Sequence, residues 1–175
     1  MEDYKQLYKD YYDMYISQCQ LCRKISSKRR GRFRKPNFPE LISEFFIEQI
    51  TGSRKAKVGD LVTSGDNEKR IEVKCIASNG PVSFGPKEKW DILVLVDARE
   101  EKQLTISCYY ISNKDPRWQD IQVSRTQTFY DKAKLGQRPR LTPNSLYKQL
   151  LDVRCKTVKC TVDDLFTGTY PQIEI

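Results

Sequence analysis

Apolar and polar residues alternate along residues 71–76, and this alternation predicts a β-strand. Residues two apart share one face of a strand, so the core-facing positions would be Ile71, Val73 and Cys75. Glu72 and Lys74 would then project together from the opposite face. Turn-forming residues at positions 64–67 separate this strand from Asp60 and predict a β-hairpin. Such a hairpin would bring Asp60 beside Glu72.

Two helices are predicted in the N-terminal third of the chain. Residues 3 to about 27 carry apolar and aromatic side chains at spacings of three and four, namely Tyr4, Leu7, Tyr8, Tyr11, Met14 and Tyr15. We favour core packing over base stacking for this stripe, and a subunit interface would use the same residues. A second helix is expected from about residue 39 to residue 50, ending at Gly52, with inward side chains at Leu41, Ile42, Phe45 and Phe46.

The remaining pattern predicts more strands and one more helix. A continuous apolar run at residues 92–96, inside a strand that begins at Trp90, is typical of the buried centre of a sheet. Further strands are expected at residues 103–111 and 156–162, and Thr142-Pro143 predicts the start of a helix that continues to residue 152. Residues 78–89 contain Gly and Pro and are expected to form a loop. This order predicts an α/β fold with a mixed central sheet flanked by helices.

The length of 175 residues fits one domain. No run of about 18 apolar residues occurs, so we expect a soluble, cytoplasmic protein with no membrane partner. The six cysteines are then expected to be reduced thiols. Cys75 and Cys108 fit small core positions. A zinc site built from Cys19, Cys22, Cys155 and Cys160 is a weaker alternative that stays open.

Positive charge is concentrated in one block. The chain has 31 basic and 23 acidic residues, a formal net charge of +8, and residues 23–35 hold eight basic residues and no acid. A block of this kind favours binding to a polyanion such as nucleic acid, with Arg30, Arg32 and Arg34 as candidate DNA contacts. A solvated basic loop and a targeting signal are the alternatives.

The hairpin carries residue types suited to phosphodiester hydrolysis. Asp60 and Glu72 would hold one Mg²⁺, helped by the backbone carbonyl of Val73, because Mg²⁺ prefers carboxylate and carbonyl oxygens. Lys74 would position the attacking water or help to deprotonate it, and the products would be a 5′-phosphate and a 3′-hydroxyl. Glu44 on the second helix is an even choice between an auxiliary acid and a solvated side chain, whereas Glu40 and Glu48 are expected to be only solvated. A surface hairpin with an ordinary cross-strand ion pair is the alternative reading of the motif.

Long polar side chains dominate residues 112–142 and are typical of surfaces that contact DNA. Arg138 and Arg140 are the leading candidates for contacts with guanine or with adjacent phosphates. Lys87 and Lys89 are expected to hold the DNA backbone. Ser83 would either contact the substrate or cap its loop.

Several short motifs, in their order and spacing, resemble those of known nucleases. Gly59-Asp60 followed by Glu72-Val73-Lys74 resembles the PD-(D/E)xK motif, and residues 37–44 resemble the helix that precedes it in type II restriction endonucleases. Residues 83–87, 126–128 and 136–140 are similar to a small single-domain family that cuts the interrupted palindrome GC-N-GC. The resemblance covers roughly residues 37–150, so it does not account for the N-terminal region, and Gly59 stands where the motif has proline.

The resemblance implies a Mg²⁺-dependent, homodimeric endonuclease for double-stranded DNA, with a restriction-endonuclease-like fold and a cognate DNA methyltransferase as its functional partner. Asp60, Glu72 and Lys74 would be the motif residues and Glu44 an auxiliary acid. One nuclease domain would span residues 1–175, with a helical and basic region at 1–35, a catalytic core at 37–111, a recognition region at 112–150 and a strand and tail at 151–175. A Holliday-junction or repair nuclease and a non-catalytic nucleic-acid-binding protein are the rival functions.

Overall fold

The computed structural model describes residues 2–29 and 35–175, with the side chains of Glu2 and Asp3 left aside. The helices are α1 (Glu2–Arg29), α2 (Glu40–Thr51), α3 (Arg117–Asp120), α4 (Phe129–Lys134), α5 (Pro143–Gln149) and α6 (Val162–Thr167). The strands are β1 (Arg54–Lys55), β2 (Leu61–Val62), β3 (Arg70–Ile76), β4 (Val82–Ser83), β5 (Ile92–Asp97), β6 (Gln103–Tyr109), β7 (Arg140–Leu141) and β8 (Cys155–Thr161).

Six strands form one mixed sheet in the order β1-β2-β3-β5-β6-β8. β3 and β5 are parallel, with Glu72 opposite Leu93 and Lys74 opposite Leu95, and the other neighbouring strands are antiparallel. β4 and β7 form a separate antiparallel ribbon. The prediction of an α/β fold with a mixed central sheet and flanking helices is confirmed, and the architecture is consistent with a restriction-endonuclease-like fold.

Strand β5 is buried on both of its faces, which explains its uninterrupted apolar sequence. Ile92, Val94 and Val96 face one hydrophobic core, and Leu93 and Leu95 face another. The first core also contains the buried side chains of α1, α2 and α6, and the second contains those of α3, α4 and α5. The sheet is therefore covered by helices on both sides, and β5 is its centre as the sequence predicts.

Helix α2 follows its sequence signals closely. It ends at Gly52, whose φ of 64° is a left-handed conformation that favours glycine at a helix C-terminus. Ile42, Phe45 and Phe46 are buried as predicted, but Leu41 is 56% exposed, so its predicted inward orientation is wrong. Leu41 lies in the first turn, on the side of the helix that faces away from the sheet.

The predicted core stripe of α1 is largely wrong. Tyr15 is buried and Tyr8 is half-buried, but Tyr4, Leu7, Tyr11 and Met14 are exposed. The helix instead buries Tyr12, Tyr15 and Cys19, which share one face at spacings of three and four. Two apolar stripes therefore run along α1, and packing on the sheet selects one of them.

Several short elements depart from the sequence prediction. Residues 82–83 were expected in a loop but form β4, paired with β7 through Val82 opposite Leu141 and Ser83 opposite Arg140. The short helices α3, α4 and α6 have no counterpart among the predicted elements, and α5 ends at Gln149 instead of residue 152. These elements are too short for a clear hydrophobic period, so their positions depend on contacts with the second core and with β8.

Candidate active site and DNA cleft

The β2–β3 hairpin holds Asp60 against the strand that carries Glu72. The backbone N–H of Val73 donates a hydrogen bond of 2.7 Å to Asp60 Oδ2. The predicted hairpin is thus confirmed, although Asp60 lies just before β2 and not within a strand. The preceding Gly59 has φ of 88°, a conformation that proline, with φ fixed near −65°, cannot adopt. The departure from the motif's proline therefore matches the local backbone.

Glu72 and Lys74 project together from β3, as predicted, and form an ion pair. Glu72 is 3% exposed, and Lys74 is enclosed between two carboxyl groups because Glu88 Oε2 lies 3.3 Å from its ammonium. The Phe84 ring also lies beneath the ammonium, with its centroid 5.6 Å away. Contacts with Glu72, Glu88 and Phe84 therefore fix the position of the Lys74 ammonium.

Glu88 is a site residue that the sequence prediction missed. It lies in the loop after β4, and its carboxyl group folds back over Gly85. A Cβ atom at position 85 would overlap that carboxyl group, so a larger residue there would displace the Glu88 side chain from its present position beside Lys74. The only hint in the sequence is a glycine and an acid three residues apart in a loop that is otherwise basic.

A second acidic group lies where α2 meets the hairpin. Carboxylate oxygens of Glu40, Glu44 and Asp60 all lie within 4.8 Å of one another. Glu44 is 6% exposed and forms an ion pair with Lys55 of β1. The structure therefore places Glu44 beside Asp60. It also draws the exposed Glu40 into the same group, so the prediction that Glu40 is only solvated is incomplete.

Burial shifts the pKa values of the carboxyl groups in the site. It raises the pKa of Glu44, partly opposed by Lys55, and raises the pKa of Asp60, partly opposed by the Val73 N–H and by Lys74. Burial likewise raises the pKa of Glu72 above its usual value, although Lys74 opposes it. These shifts mean that the ionised carboxylates lack sufficient compensating positive charge.

The pKa values of Glu88 and Lys74 shift in the directions that favour the charged form of each side chain. Burial alone would lower the pKa of Lys74, but the carboxylates of Glu72 and Glu88 together outweigh it and raise the pKa. Burial alone would raise the pKa of Glu88, but Lys74, Glu72 and the Gly85 backbone together lower it. Lys74 is therefore an ammonium ion at neutral pH.

The donor set fits a divalent metal ion. Glu40, Glu44 and Asp60 have carboxylate oxygens close enough to share one cation, and Lys55 pairs with Glu44. Glu72 and Glu88 lie outside that group and pair with Lys74. Hard divalent cations prefer such clusters of carboxylate oxygens, and a bound cation would offset the cost of burying their charge.

A cleft of about 1010 Å³ opens beside Val73 and Lys74. Its basic lining residues are Lys35, Lys74, Arg99, Arg138 and Arg140. Lys35 donates to the backbone carbonyl of Ala98 and Arg99 pairs with Asp97, whereas Arg138 and Arg140 form no ion pair with any residue of the described segments. The cleft therefore presents two exposed guanidinium groups to a polyanion next to the acidic site.

The other predicted DNA contacts fall in different places. Ser83 lines the cleft, and no described residue forms a hydrogen bond with its buried Oγ. Lys87 and Lys89 are exposed on the loop that leads to β5 but do not line the cleft. Arg30, Arg32 and Arg34 lie outside the described residues.

A scan against protein-family models matches residues 3–153 to the family described as Bsp6I restriction endonuclease. The chain belongs to the Bsp6I restriction endonuclease family. Membership makes it a type II site-specific deoxyribonuclease whose substrate is DNA, in a class of enzymes that generally use divalent metal ions. No curated protein and no solved structure gave a significant match.

The family match corrects one expectation about the N-terminus. The resemblance noted in the sequence covers roughly residues 37–150, but the Bsp6I family match begins at residue 3 and so includes α1. In the structure α1 contributes Tyr12, Tyr15 and Cys19 to the first core. The helix is therefore part of the family's fold.

The alternative of a four-cysteine zinc site is not supported. Within the described residues, all six cysteines are free, and the one group of potential ligands close enough to share a metal is Glu40, Glu44 and Asp60. Cys19 and Cys160 are buried in the first core, and Cys155 is exposed on β8. Cys108 is fully buried, as predicted, and Cys75 is partly buried.

The helices of the described segments are too short or too polar to span a membrane. This finding agrees with the absence of a long apolar run in the sequence.

Proposed function

We propose that the protein is a Mg²⁺-dependent endonuclease of the PD-(D/E)xK type that cuts both strands of duplex DNA at GC-N-GC and leaves 5′-phosphate and 3′-hydroxyl ends. The observation that carries the proposal is the Asp60–Val73 hydrogen bond, which holds Asp60 against β3, the strand on which Glu72 pairs with Lys74 beside a basic cleft. The family match is consistent with the proposed site. The biological setting would be a restriction-modification system with a cognate DNA methyltransferase.

The metal would be held by Asp60 and Glu72 with the Val73 carbonyl, and Glu44 would assist from α2. When bound, Mg²⁺ polarises the scissile phosphate and stabilises the charge that develops on its oxygens. The buried carboxylates support this assignment because each has a raised pKa that a cation would reverse. Lys55 neutralises Glu44 in the structure and would release it to the cation.

The role proposed for Lys74 is to orient the attacking water and to stabilise the developing negative charge. The ammonium is positioned by Glu72 and Glu88, and Phe84 closes its lower side. Because these contacts are formed before substrate binds, little reorganisation would be needed during the reaction. Glu88 is proposed as a positioning residue that acts through Lys74.

Sequence recognition is assigned to the β4–β7 ribbon. A two-stranded antiparallel ribbon fits the major groove of B-DNA, where arginine can form two hydrogen bonds with guanine. Arg140 lies on β7 opposite Ser83, and Arg138 precedes it by two residues at the same cleft. Apart from β4, which belongs to the ribbon, we assign residues 37–111 to catalysis and residues 112–150 to recognition within one domain spanning residues 1–175. Lys87 and Lys89 would contact phosphates outside the cleft. Arg30, Arg32 and Arg34 are also proposed as DNA contacts.

Replacing Arg140 with alanine should weaken binding to the cognate site by about 5-fold to 150-fold, since a bidentate arginine–guanine pair contributes about 1–3 kcal/mol. Binding to unrelated DNA should change much less. Fluorescence anisotropy with cognate and scrambled duplexes would measure both affinities. Arg125→Ala is the matched control because Arg125 is exposed but does not line the cleft. Equal losses for both duplexes would identify Arg140 as a phosphate contact.

Incubation of the purified protein with long duplex DNA and Mg²⁺ tests the proposed function directly. We expect discrete fragments whose ends map to GC-N-GC and can be religated without phosphorylation. Cutting restricted to branched DNA would instead support a junction nuclease. Absence of cutting with Mg²⁺ and with Mn²⁺, despite retained DNA binding, would refute the catalytic assignment.

A further inference from the structure

An apolar stripe on α1 is left uncovered by the described residues of the chain. The side chains of this stripe are 42% to 68% exposed, and they are Tyr4, Leu7, Tyr11, Met14, Leu21 and Ile25. They make up six of the eleven large apolar side chains that are exposed in the described residues. Isolated exposed apolar residues are ordinary, but a continuous stripe of them marks an interaction surface.

The stripe follows a heptad repeat. Successive spacings of three and four connect Tyr4 to Ile25, and the one position of the series that is polar is Gln18, which is also exposed. We call these seven residues the α1 seam. A repeat of 3.5 residues sustained over three heptads indicates packing against another helix, because an ordinary surface helix does not require it.

The α1 seam differs from the face that anchors α1 to its own chain. Tyr12, Tyr15 and Cys19 each follow a seam residue by one position, which rotates them by about 100° around the helix axis. Those three side chains contribute to the first core. The helix can therefore stay docked on the sheet while the α1 seam binds a partner.

The charge distribution of α1 selects the partner. Residues 2–15 contain four acids and two lysines, and one of these lysines, Lys9, is already paired with Asp13. Residues 16–29 contain Arg23, Lys24, Lys28 and Arg29 and no acid, with Arg23 paired to Glu101. A second copy of the helix in antiparallel orientation places acidic halves beside basic halves. A parallel copy would align like charges.

The available surface is sufficient for a stable dimer. The six apolar side chains expose together on the order of 700 Å² per copy, close to the roughly 800 Å² per partner of a standard interface before flanking polar residues are counted. An antiparallel pair of helices is related by a two-fold axis, so the same patch on each chain completes the contact.

We propose that the α1 seam is the interface through which two copies of this chain form an antiparallel, two-fold symmetric dimer. The biological role of the dimer rests on the proposed function, because two symmetry-related sites can cut the two strands of a palindrome in one binding event. The contact itself forms without DNA or metal, so it is measured separately from cleavage.

Sedimentation equilibrium of the full chain without DNA tests the interface. Wild-type protein should sediment as a dimer at micromolar concentration, and the double variant Met14→Glu with Leu21→Glu should raise the dimer dissociation constant at least about 100-fold. Both side chains are exposed, so circular dichroism and the thermal midpoint of the monomer should be preserved. The matched control is Leu151→Glu, which changes an 81% exposed leucine elsewhere on the surface and should leave the dimer intact.

Cysteine cross-linking tests the orientation. Ile25→Cys in a Cys22→Ser and Cys155→Ser background would form a self-disulfide in a parallel pair but not in an antiparallel one, because position 25 lies near the end of the α1 seam. Efficient cross-linking would overturn the antiparallel arrangement.

Three other results would overturn the interface. The first is a wild-type protein that stays monomeric at about 100 µM. The second is a dimer whose dissociation constant the double variant does not change. The third is a monomeric wild type that loses DNA affinity when the double variant is introduced, which would assign the α1 seam to nucleic acid binding. An intact dimer that cuts no DNA would contradict the proposed function and leave the interface standing.

Discussion

Glu72→Gln is expected to lower the rate of DNA cleavage by about 10³-fold or more, with little change in DNA affinity. The substitution keeps the shape of a side chain that is 3% exposed but removes the carboxylate that pairs with Lys74 and, in the proposed mechanism, binds the metal. Single-turnover cleavage of a duplex that contains one site would measure the rate. Anisotropy with the same duplex would measure the affinity.

Glu68→Gln is the matched control for this prediction. Glu68 lies on the same hairpin segment, is about half exposed and pairs with Arg54 at a distance from the cleft. It should cut at the wild-type rate. A Glu72→Gln enzyme that retained wild-type single-turnover cleavage would remove Glu72 from the reaction, whatever its effect on stability.

Phe84→Ala is expected to destabilise the protein by about 3–5 kcal/mol, the usual cost of a phenylalanine-sized cavity in a well-packed core. Phe84 is fully buried, and its ring contacts those of Trp90, Trp118 and Phe129. These rings join β4 and the segment before β5 to helices α3 and α4. The free energy of unfolding in urea, followed by tryptophan fluorescence, would measure the loss.

Two controls separate packing from other effects in the Phe84 experiment. Phe84→Leu fills most of the cavity and should cost less than half as much as alanine. Tyr130→Ala changes a neighbouring ring that is 51% exposed and should alter stability by less than about 1 kcal/mol. Equal losses for the alanine and leucine variants would mean that the aromatic cluster is not a packed unit.

Local sequence signals predicted the parts of the site that are set by neighbouring residues. Alternation placed Glu72 and Lys74 on one face of β3, and the upstream turn placed Asp60 next to it. Gly52 marked the end of α2 because a left-handed residue is required there. In these cases the local sequence, over a few neighbouring residues, determines both the backbone geometry and the direction of the side chains.

Other parts depend on contacts that a linear pattern does not contain. Helix α1 has two apolar stripes one residue apart, and the shape of the sheet decides that Tyr12 is buried and Tyr11 is exposed. Strands β4 and β7 have two residues each, too few to show alternation, and they are far apart in sequence. Glu88 joins the site only because the loop turns over Gly85, which no spacing rule anticipates.

The connection between the two parallel strands of the sheet has a consequence for fidelity. Residues 77–91 join β3 to β5, and this one segment contains Ser83 on the recognition ribbon and Glu88 beside Lys74. A shift of β4 caused by a mismatched base pair would reach Glu88 through five residues of covalent chain and the buried ring of Phe84. Discrimination between sites would then appear in the chemical step as well as in binding, as a lower cleavage rate on near-cognate DNA that is fully bound.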